Sequence, residues 1–462
     1  MTRALPENLI TSLKGVNGFE EASFRQVHSS GEQVTSIRTN PAKITIEKLS
    51  LPVAGAVPWA VNGWYLTQRP SFTFDPLFHA GCYYVQEASS MFLEEAFRQT
   101  VDGSLPLKVL DLCASPGGKS THLQTLISPQ SILVSNEVVK GRNNVLVDNI
   151  SKWGAANVVV TANDARAFQK LPNYFDVMVV DAPCSGSGLF RRDEGAMDEW
   201  SLHNVQLCSD RQKRILNDAL PTLKNGGILI YATCSYSKEE DEDIMDWLVR
   251  EMHCQPLPIS IENASGVVAS HSPISGATGY RFFPDRVKGE GFFMAVFRKE
   301  REEENEKVKG SKVEKTGTKQ KEIISRWLKD WDGEVVALYN GLYLASPNLY
   351  EQLSFLQKAL NIQYAGVGAG SIMKEKLVPA HALAMSNLLS DAIPKTNLSY
   401  EDAIKYLQRS DFKLTSERPG WQVVCYQEHN LGWINALQNR FNNYYPKELR
   451  ILKQHNHLPF KK

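Results

Sequence analysis

No two of the seven cysteines in this 462-residue chain are spaced Cys-x-x-Cys. This removes the ligand pattern of a zinc ribbon and, in a chain this long, argues against a disulfide framework. The seven read as reduced thiols. No stretch approaches the roughly twenty consecutive apolar residues of a membrane span, and the opening MTRALPENLITSLKG has no apolar core of the signal-peptide kind. The expectation is a soluble, cytoplasmic protein. An excess of either charge is missing too, since 51 Lys and Arg balance 51 Asp and Glu, so any nucleic-acid surface must be a local patch. The dinucleotide fingerprint Gly-x-Gly-x-x-Gly is absent. Gly118-Lys119-Ser120 ends like a phosphate-binding P-loop, but that motif requires glycine where Cys113 stands.

What is present centres on residues 107–127, LKVLDLCASPGGKSTHLQTLI, which read as strand, glycine turn and helix. Ser115 suits an N-cap, Pro116 a first helical position, and Gly117 and Gly118 allow close approach of the backbone to a ligand. Asp111, at the end of the strand, suits a ligand presenting cations and hydroxyls. A second strand, 131–136, runs into Glu137, about twenty residues past the glycines, where nucleotide-binding folds place an acid for ribose hydroxyls. A third, 158–161, precedes Asp164. A fourth, 175–181, enters Asp181-Ala182-Pro183-Cys184, and a fifth, 227–233, enters Thr233-Cys234-Ser235. Ligands of open α/β sheets bind outside the carboxyl ends of the strands, so one cleft is expected to collect all five ends.

Around this core, length and composition suggest about three domains. Residues 1–75 read as a small α+β unit, in which Arg38-Thr39-Asn40-Pro41 is either an RNA-contacting turn or simply a strand ending in a turn. Residues 76–299 form the core. Within it 201–222 is a helix whose Arg211, Lys213 and Arg214 face RNA or solvent, and 280–298 is an antiparallel pair joined through Lys288-Gly289-Glu290-Gly291. Residues 300–322 contain almost no apolar side chain and read as a flexible charged linker. Residues 323–385, with Trp327 and Trp331, are expected to have their own core. Residues 386–462 end in Arg440, Lys447, Arg450, Lys453, Lys461 and Lys462 against the single acid Glu448, interleaved with Phe441, Tyr444 and Tyr445. Such a terminus serves phosphate attraction and base stacking, or else only solubility.

The motifs Cys113-Ala114-Ser115-Pro116-Gly117-Gly118-Lys119, Asp181-Ala182-Pro183-Cys184-Ser185-Gly186 and Thr233-Cys234-Ser235 together resemble the Sun/nucleolar-protein family of RNA cytosine-C5 methyltransferases. Tyr84-Val85-Gln86-Glu87-Ala88-Ser89-Ser90 and Gly289-Glu290-Gly291-Phe292-Phe293 extend the match over residues 75–300. Leu431-Gly432-Trp433 and Asn443-Tyr444-Tyr445-Pro446-Lys447 resemble the PUA-like domain of the family's RsmF branch, which modifies small-subunit (16S) ribosomal RNA. The resemblance implies an α/β fold: a Rossmann-like S-adenosylmethionine-dependent methyltransferase core, a small N-terminal α+β RNA-binding domain and a C-terminal PUA-like RNA-binding domain. It implies S-adenosyl-L-methionine as cofactor, with the backbone of 113–119 on the methionine part, Glu137 on the ribose, Asp164 on the adenine amine, and Asp181 between cofactor and cytosine. The implied partner is ribosomal RNA or the small ribosomal subunit, with no membrane and no metal, the protein acting as a monomer.

Two cysteines make chemical sense in such a reaction. C5 of cytosine is too weak a nucleophile to be methylated unaided, so a thiolate first adds to C6 and must leave again after the C5 proton is removed. By resemblance Cys234 is the nucleophile and Cys184 assists release, while Asp181 and Lys119 support the developing charge. Cys82, Cys208, Cys254 and Cys425 carry no such context and read as small buried hydrophobes. The alternatives are a methyltransferase of another substrate, such as transfer RNA or DNA, and a non-enzymatic ribosome-assembly factor, against which both intact cysteines argue.

Overall fold

The computed structural model describes residues 4–300, 316–338, 341–414, 419–438 and 440–453. The N-terminal unit holds the helices Glu7–Leu13 and Glu21–Ser29 and four strands, β1 (Thr35–Thr39), β2 (Val53–Ala56), β3 (Gly63–Leu66) and β4 (Tyr83–Tyr84), in the order β2-β3-β1-β4. Its sheet thus reaches Tyr84, past the boundary expected at residue 75. Arg38 is fully buried in β1. It donates from Nε to Gln86 Oε1 at 2.9 Å and from Nη2 to Thr121 Oγ1 at 2.6 Å, with its guanidinium 4.7 Å from the Trp153 ring. It fastens the N-terminal sheet to the core and is not an RNA-contacting turn.

The core contains β5 (Lys108–Asp111), β6 (Ile132–Asn136), β7 (Val158–Thr161), β8 (Phe175–Asp181), β9 (Leu223–Thr233), β10 (Cys254–Pro256), β11 (Val268–His271), β12 (Thr278–Phe282) and β13 (Phe292–Lys299). Strands β5 to β9 pair in parallel, and their Val, Leu and Ile side chains are buried on both faces, as helix-covered parallel sheets require. The order β11-β12-β13-β9-β8-β5-β6-β7 matters for function. The chain lays β6 and β7 on one side of β5, then returns to lay β8 and β9 on the other. This reversal opens a crevice above the carboxyl ends of β5 and β8, which terminate in Asp111 and Asp181. The helix Leu202–Ala219, between β8 and β9, is capped by the Ser201 hydroxyl, which accepts from the Asn204 amide at 3.0 Å.

Beyond the core lie β14 (Glu334–Leu338), β15 (Gly341–Ala345), β16 (Ile362–Ala365), β17 (Val367–Met373) and β18 (Lys376–Pro379), then β19 (Lys395–Asn397), β20 (Gly420–Tyr426), β21 (His429–Ala436) and β22 (Phe441–Asn443). The unit expected to stand alone over 323–385 does so only in part. Its sheet is β14-β15-β17-β18, but β16 pairs antiparallel with β7 and completes a 10-stranded sheet. The reason is the Val-Val-Val-Thr sequence of β7, buried throughout, whose unpaired edge would otherwise be exposed. The helix Thr318–Ser325 begins inside the expected 300–322 linker, of which residues 301–315 lie outside the described residues, as do Lys461 and Lys462. The last unit pairs β19-β20-β21-β22, and its helix Tyr400–Gln408 packs on the N-terminal unit, with Tyr400 donating to Phe74 O at 3.0 Å.

Candidate active site

The glycine turn differs from its sequence reading in one respect. The helix begins at Gly118, with Gly117 as N-cap at φ 111°, a conformation in which only glycine is unstrained, so neither Ser115 nor Pro116 starts it. Ser115 instead donates its hydroxyl to Arg142 O at 2.9 Å, and Arg142 Nη2 returns a bond to Ser115 O at 3.1 Å. The turn is thereby pinned to the helix that follows β6. Beneath it Asp111 is fully buried. Its Oδ2 accepts from the Ser120 hydroxyl at 2.6 Å, its Oδ1 has no partner among the described residues, and burial pushes its pKa up to about 7.

Above the strand ends lies a cleft of about 860 Å³, lined among others by Cys113, Ser115, Glu137, Asp164, Asp181, Cys184 and Cys234. Every one of the five predicted strand ends therefore contributes to one cavity or to its floor. Ala114, Pro116, Gly117 and Gly118 form the turn behind the lining. Glu137 is buried. Its Oε1 accepts from the Val139 amide at 2.9 Å, and Oε2 lies 3.3 Å from Arg142 Nη2. Asp164 is half exposed and caps the turn after β7, accepting from the Arg166 amide at 3.1 Å. It thus serves as a capping acid while still facing the cleft.

Two close pairs occupy the floor. Lys119 Nζ sits 2.7 Å from Asp181 Oδ2. Burial works against the ammonium, but the neighbouring carboxylate outweighs it and holds the pKa of Lys119 above its ordinary value. Cys184 Sγ and Cys234 Sγ are 2.8 Å apart, both free thiols. The hydrogen bond to Cys234, and then burial, raise the pKa of Cys184 well above the ordinary thiol range. Burial likewise pushes the Cys113 thiol up. Cys82, Cys208, Cys254 and Cys425 are buried away from the cleft.

Three contributors were not legible as such in the sequence. Arg211 and Arg214 line the cleft, Arg214 Nη2 lying 4.0 Å from Asp164 Oδ2, whereas Lys213 does not line it. Glu240, in the acidic run KEEDED, is fully buried behind the two thiols.

A switch point under a glycine turn, with thiols and acids on the adjoining strand ends, is the architecture of a Rossmann-like methyltransferase. A methyltransferase homologue from Pyrococcus horikoshii superimposes with a TM-score of 0.51 at 28% identity, over 64% of this chain and 100% of that one. The structure of NSun6 from the same organism shares the fold, with a TM-score of 0.54 at 20% identity, over 65% of this chain and 100% of that one. Residues 103–298 match the family described as 16S rRNA methyltransferase RsmB/F. Residues 5–88 match the N-terminal domain of 16S rRNA methyltransferase RsmF, and residues 394–451 the methyltransferase RsmF PUA domain. The protein named ribosomal RNA small subunit methyltransferase F from Shewanella piezotolerans is 29% identical over 442 residues, spanning 91% of this chain and 92% of its own length. Its namesake from Vibrio cholerae is 29% identical over 435 residues, spanning 90% of each. The chain belongs to the RsmF-type branch of the 16S rRNA methyltransferase family.

Proposed function

We propose that this enzyme transfers a methyl group from S-adenosylmethionine to C5 of a cytidine in small-subunit ribosomal RNA, through a covalent adduct between Cys234 and C6. The observation that carries this reading is the pair of thiols 2.8 Å apart in a cleft that Asp181 also lines, with Lys119 paired to that carboxylate. The cleft suits the cofactor. Its volume, about 860 Å³, is that of a small-molecule site, and three carboxylates, Glu137, Asp164 and Asp181, converge on it. Glu137 and Asp164 would hold the nucleoside part, and the backbone from Cys113 to Lys119 the amino-acid part. When bound, the cofactor supplies an electrophilic methyl group on a sulfonium.

The chain's own residues do the rest. The Cys234 thiolate adds to C6, which makes C5 enamine-like and able to accept the methyl group. Asp181 holds the N3 and N4 edge of the cytosine, with Lys119 screening the charge that develops there. A base then takes the C5 proton, the C–H electron pair re-forms the C5=C6 bond, and the C6–S bond breaks with its pair leaving on sulfur, which returns the Cys234 thiolate. By resemblance to the family Cys234 is the sulfur that attacks, and the role of Cys184, 2.8 Å away, falls in release. The N-terminal unit and the last unit bind RNA. The latter carries a surface concavity of about 990 Å³ lined by Lys413, Arg440, Phe441, Tyr444 and Lys447, a basic and aromatic mixture suited to phosphates and unstacked bases. Ribosomal RNA as substrate places the enzyme in the cytoplasm. Bisulfite mapping of 16S rRNA from a deletion strain tests the reading: one or more 5-methylcytidines should vanish and return on complementation. An unchanged map would refute it.

A further inference from the structure

The two thiols stand on separate loops, after β8 and after β9, and no covalent link sets their spacing. The loops meet directly where the Gly188 amide donates to Cys234 O at 2.8 Å and the Tyr236 amide to the Ser187 hydroxyl at 2.9 Å, and they are joined nearer the thiols by the carboxylate of Glu240, fully buried in the short turn Lys238–Glu240. Its Oε1 accepts from the backbone amide of Ser185 at 2.8 Å and from Gln212 Nε2 at 3.2 Å. Its Oε2 accepts from the hydroxyl of Ser185 at 2.5 Å and from that of Ser235 at 2.6 Å. One carboxylate therefore grips the residue that follows Cys184 and the residue that follows Cys234.

The arrangement is itself held from behind. Gln212 also donates to Pro183 O at 3.1 Å, one residue before Cys184, and accepts from the Tyr231 hydroxyl at 3.0 Å. That hydroxyl also lies 2.7 Å from Glu240 O. Burial pushes the Glu240 carboxyl up from its ordinary range, against the pull of the surrounding donors. Burying a carboxylate is costly, and an apolar contact could join two loops at lower cost. What apolar packing cannot do is fix the direction of both loops through three bonds to a single group, itself anchored by a fourth from Gln212.

We propose that Glu240 is a positioning residue that sets the Cys184–Cys234 spacing, so that the attacking and releasing sulfurs address the same cytosine ring. The proposal rests on the roles given above to the two cysteines. It requires that Glu240 act on the rate of the covalent steps and not on ligand binding, since it does not line the cleft.

The test is rapid-quench measurement of covalent adduct formation on RNA containing 5-fluorocytosine, using the full chain with cofactor. The parent is compared with Glu240→Ala, Glu240→Gln and the double variant Ser185→Ala/Ser235→Ala. Misplacement of reacting groups by about 1 Å costs on the order of 10²-fold, so Glu240→Ala should form adduct about 100-fold more slowly. Its cofactor affinity and RNA KM should stay within about twofold of the parent, which a general loss of structure would not spare. Glu240→Gln should be largely rescued, because its amide oxygen can keep the Ser185 amide and Gln212 while its NH₂ donates to the two hydroxyls. The double serine variant removes two of the four bonds without emptying the site. It should be slowed to an intermediate extent, and it decides the matter if Glu240→Ala fails to fold. Parent-like rates in Glu240→Ala or in the double variant, or a Glu240→Gln as slow as Glu240→Ala, would overturn the tether alone. No adduct from the parent itself would overturn the reading of the cysteines, and the tether with it.

Discussion

Lys119, on the helix that opens at Gly118, reaches back across the crevice to place its ammonium 2.7 Å from the carboxylate of Asp181 at the end of β8. Beyond the last backbone bond of the switch point, from the Leu112 amide to Val179 O at 3.0 Å, the pair links the helix of the glycine turn to the end of β8 by charge. Asp181→Asn removes the carboxylate in direct contact with the Lys119 ammonium, whose side chain is only 12% exposed. Because the Asp181 side chain is about a third exposed, the loss of stability should be about 1–2 kcal/mol and not the larger cost of breaking a fully buried pair. The same change should lower the methylation rate by about 10²-fold, the range for removing one preorganised polar group. Urea unfolding and single-turnover methylation check the two effects separately.

Asp111 predicts a pH dependence. Its folded pKa of about 7 lies above the ordinary 3.8. Between those values the folded state keeps a proton that the unfolded state has released, so this group's contribution to stability declines as pH rises from about 4 to about 7, and levels off above. Asp111→Asn cannot lose a proton. In cofactor-free protein it should flatten that decline and, at pH 8, exceed the parent's stability by about 4 kcal/mol. Unfolding curves taken between pH 4 and 8 would show it, and parallel curves for the two proteins would contradict it.

The two cysteines should fail in opposite ways. Cys234→Ala is expected to abolish both turnover and capture by 5-fluorocytosine RNA. Cys184→Ala should still attack and methylate, then accumulate a denaturation-resistant protein–RNA adduct on ordinary RNA because elimination is slowed. Denaturing gels decide it. An adduct from Cys234→Ala and none from Cys184→Ala would reverse the assignment.

The concavity on the last unit should set RNA affinity by charge. Lys413→Glu, Arg440→Glu and Lys447→Glu together should weaken RNA binding while leaving cofactor affinity unchanged. They should also lower the slope of log affinity against log salt by about 2, from roughly 0.7 per phosphate contact on single strands. Filter binding across a salt series measures both, and an unchanged slope would remove this surface from the RNA path. Substitution is a cleaner test than truncation after residue 299, because removing β16 would expose the buried edge of β7.

Much of the core was legible from residues alone. Two of the expected strands, 158–161 and 175–181, coincide with β7 and β8, because short β-branched runs bounded by polar residues admit little else. The glycine turn was visible in type but not in register. Ser115 and Pro116 carry the local chemistry of a helix start, yet the positive φ of Gly117 places that start two residues later. Glu240 was hidden for a different reason. An acidic run beside a helix carries the same local signal whether it faces solvent or a pair of serines, and only the approach of the two loops distinguishes these.

What the amino-acid sequence by itself determined is the set of strand ends and the chemistry on each, since periodicity and turn residues act over a few neighbours along the chain. What only the tertiary structure decided is which ends meet. The thiols of Cys184 and Cys234 come to 2.8 Å, the edge of β7 finds β16 some two hundred residues later, and Arg38 is sealed between two units. Each of these depends on long-range burial, where an unpaired strand edge or an unpartnered charge costs more than the chain entropy spent in bringing distant segments together.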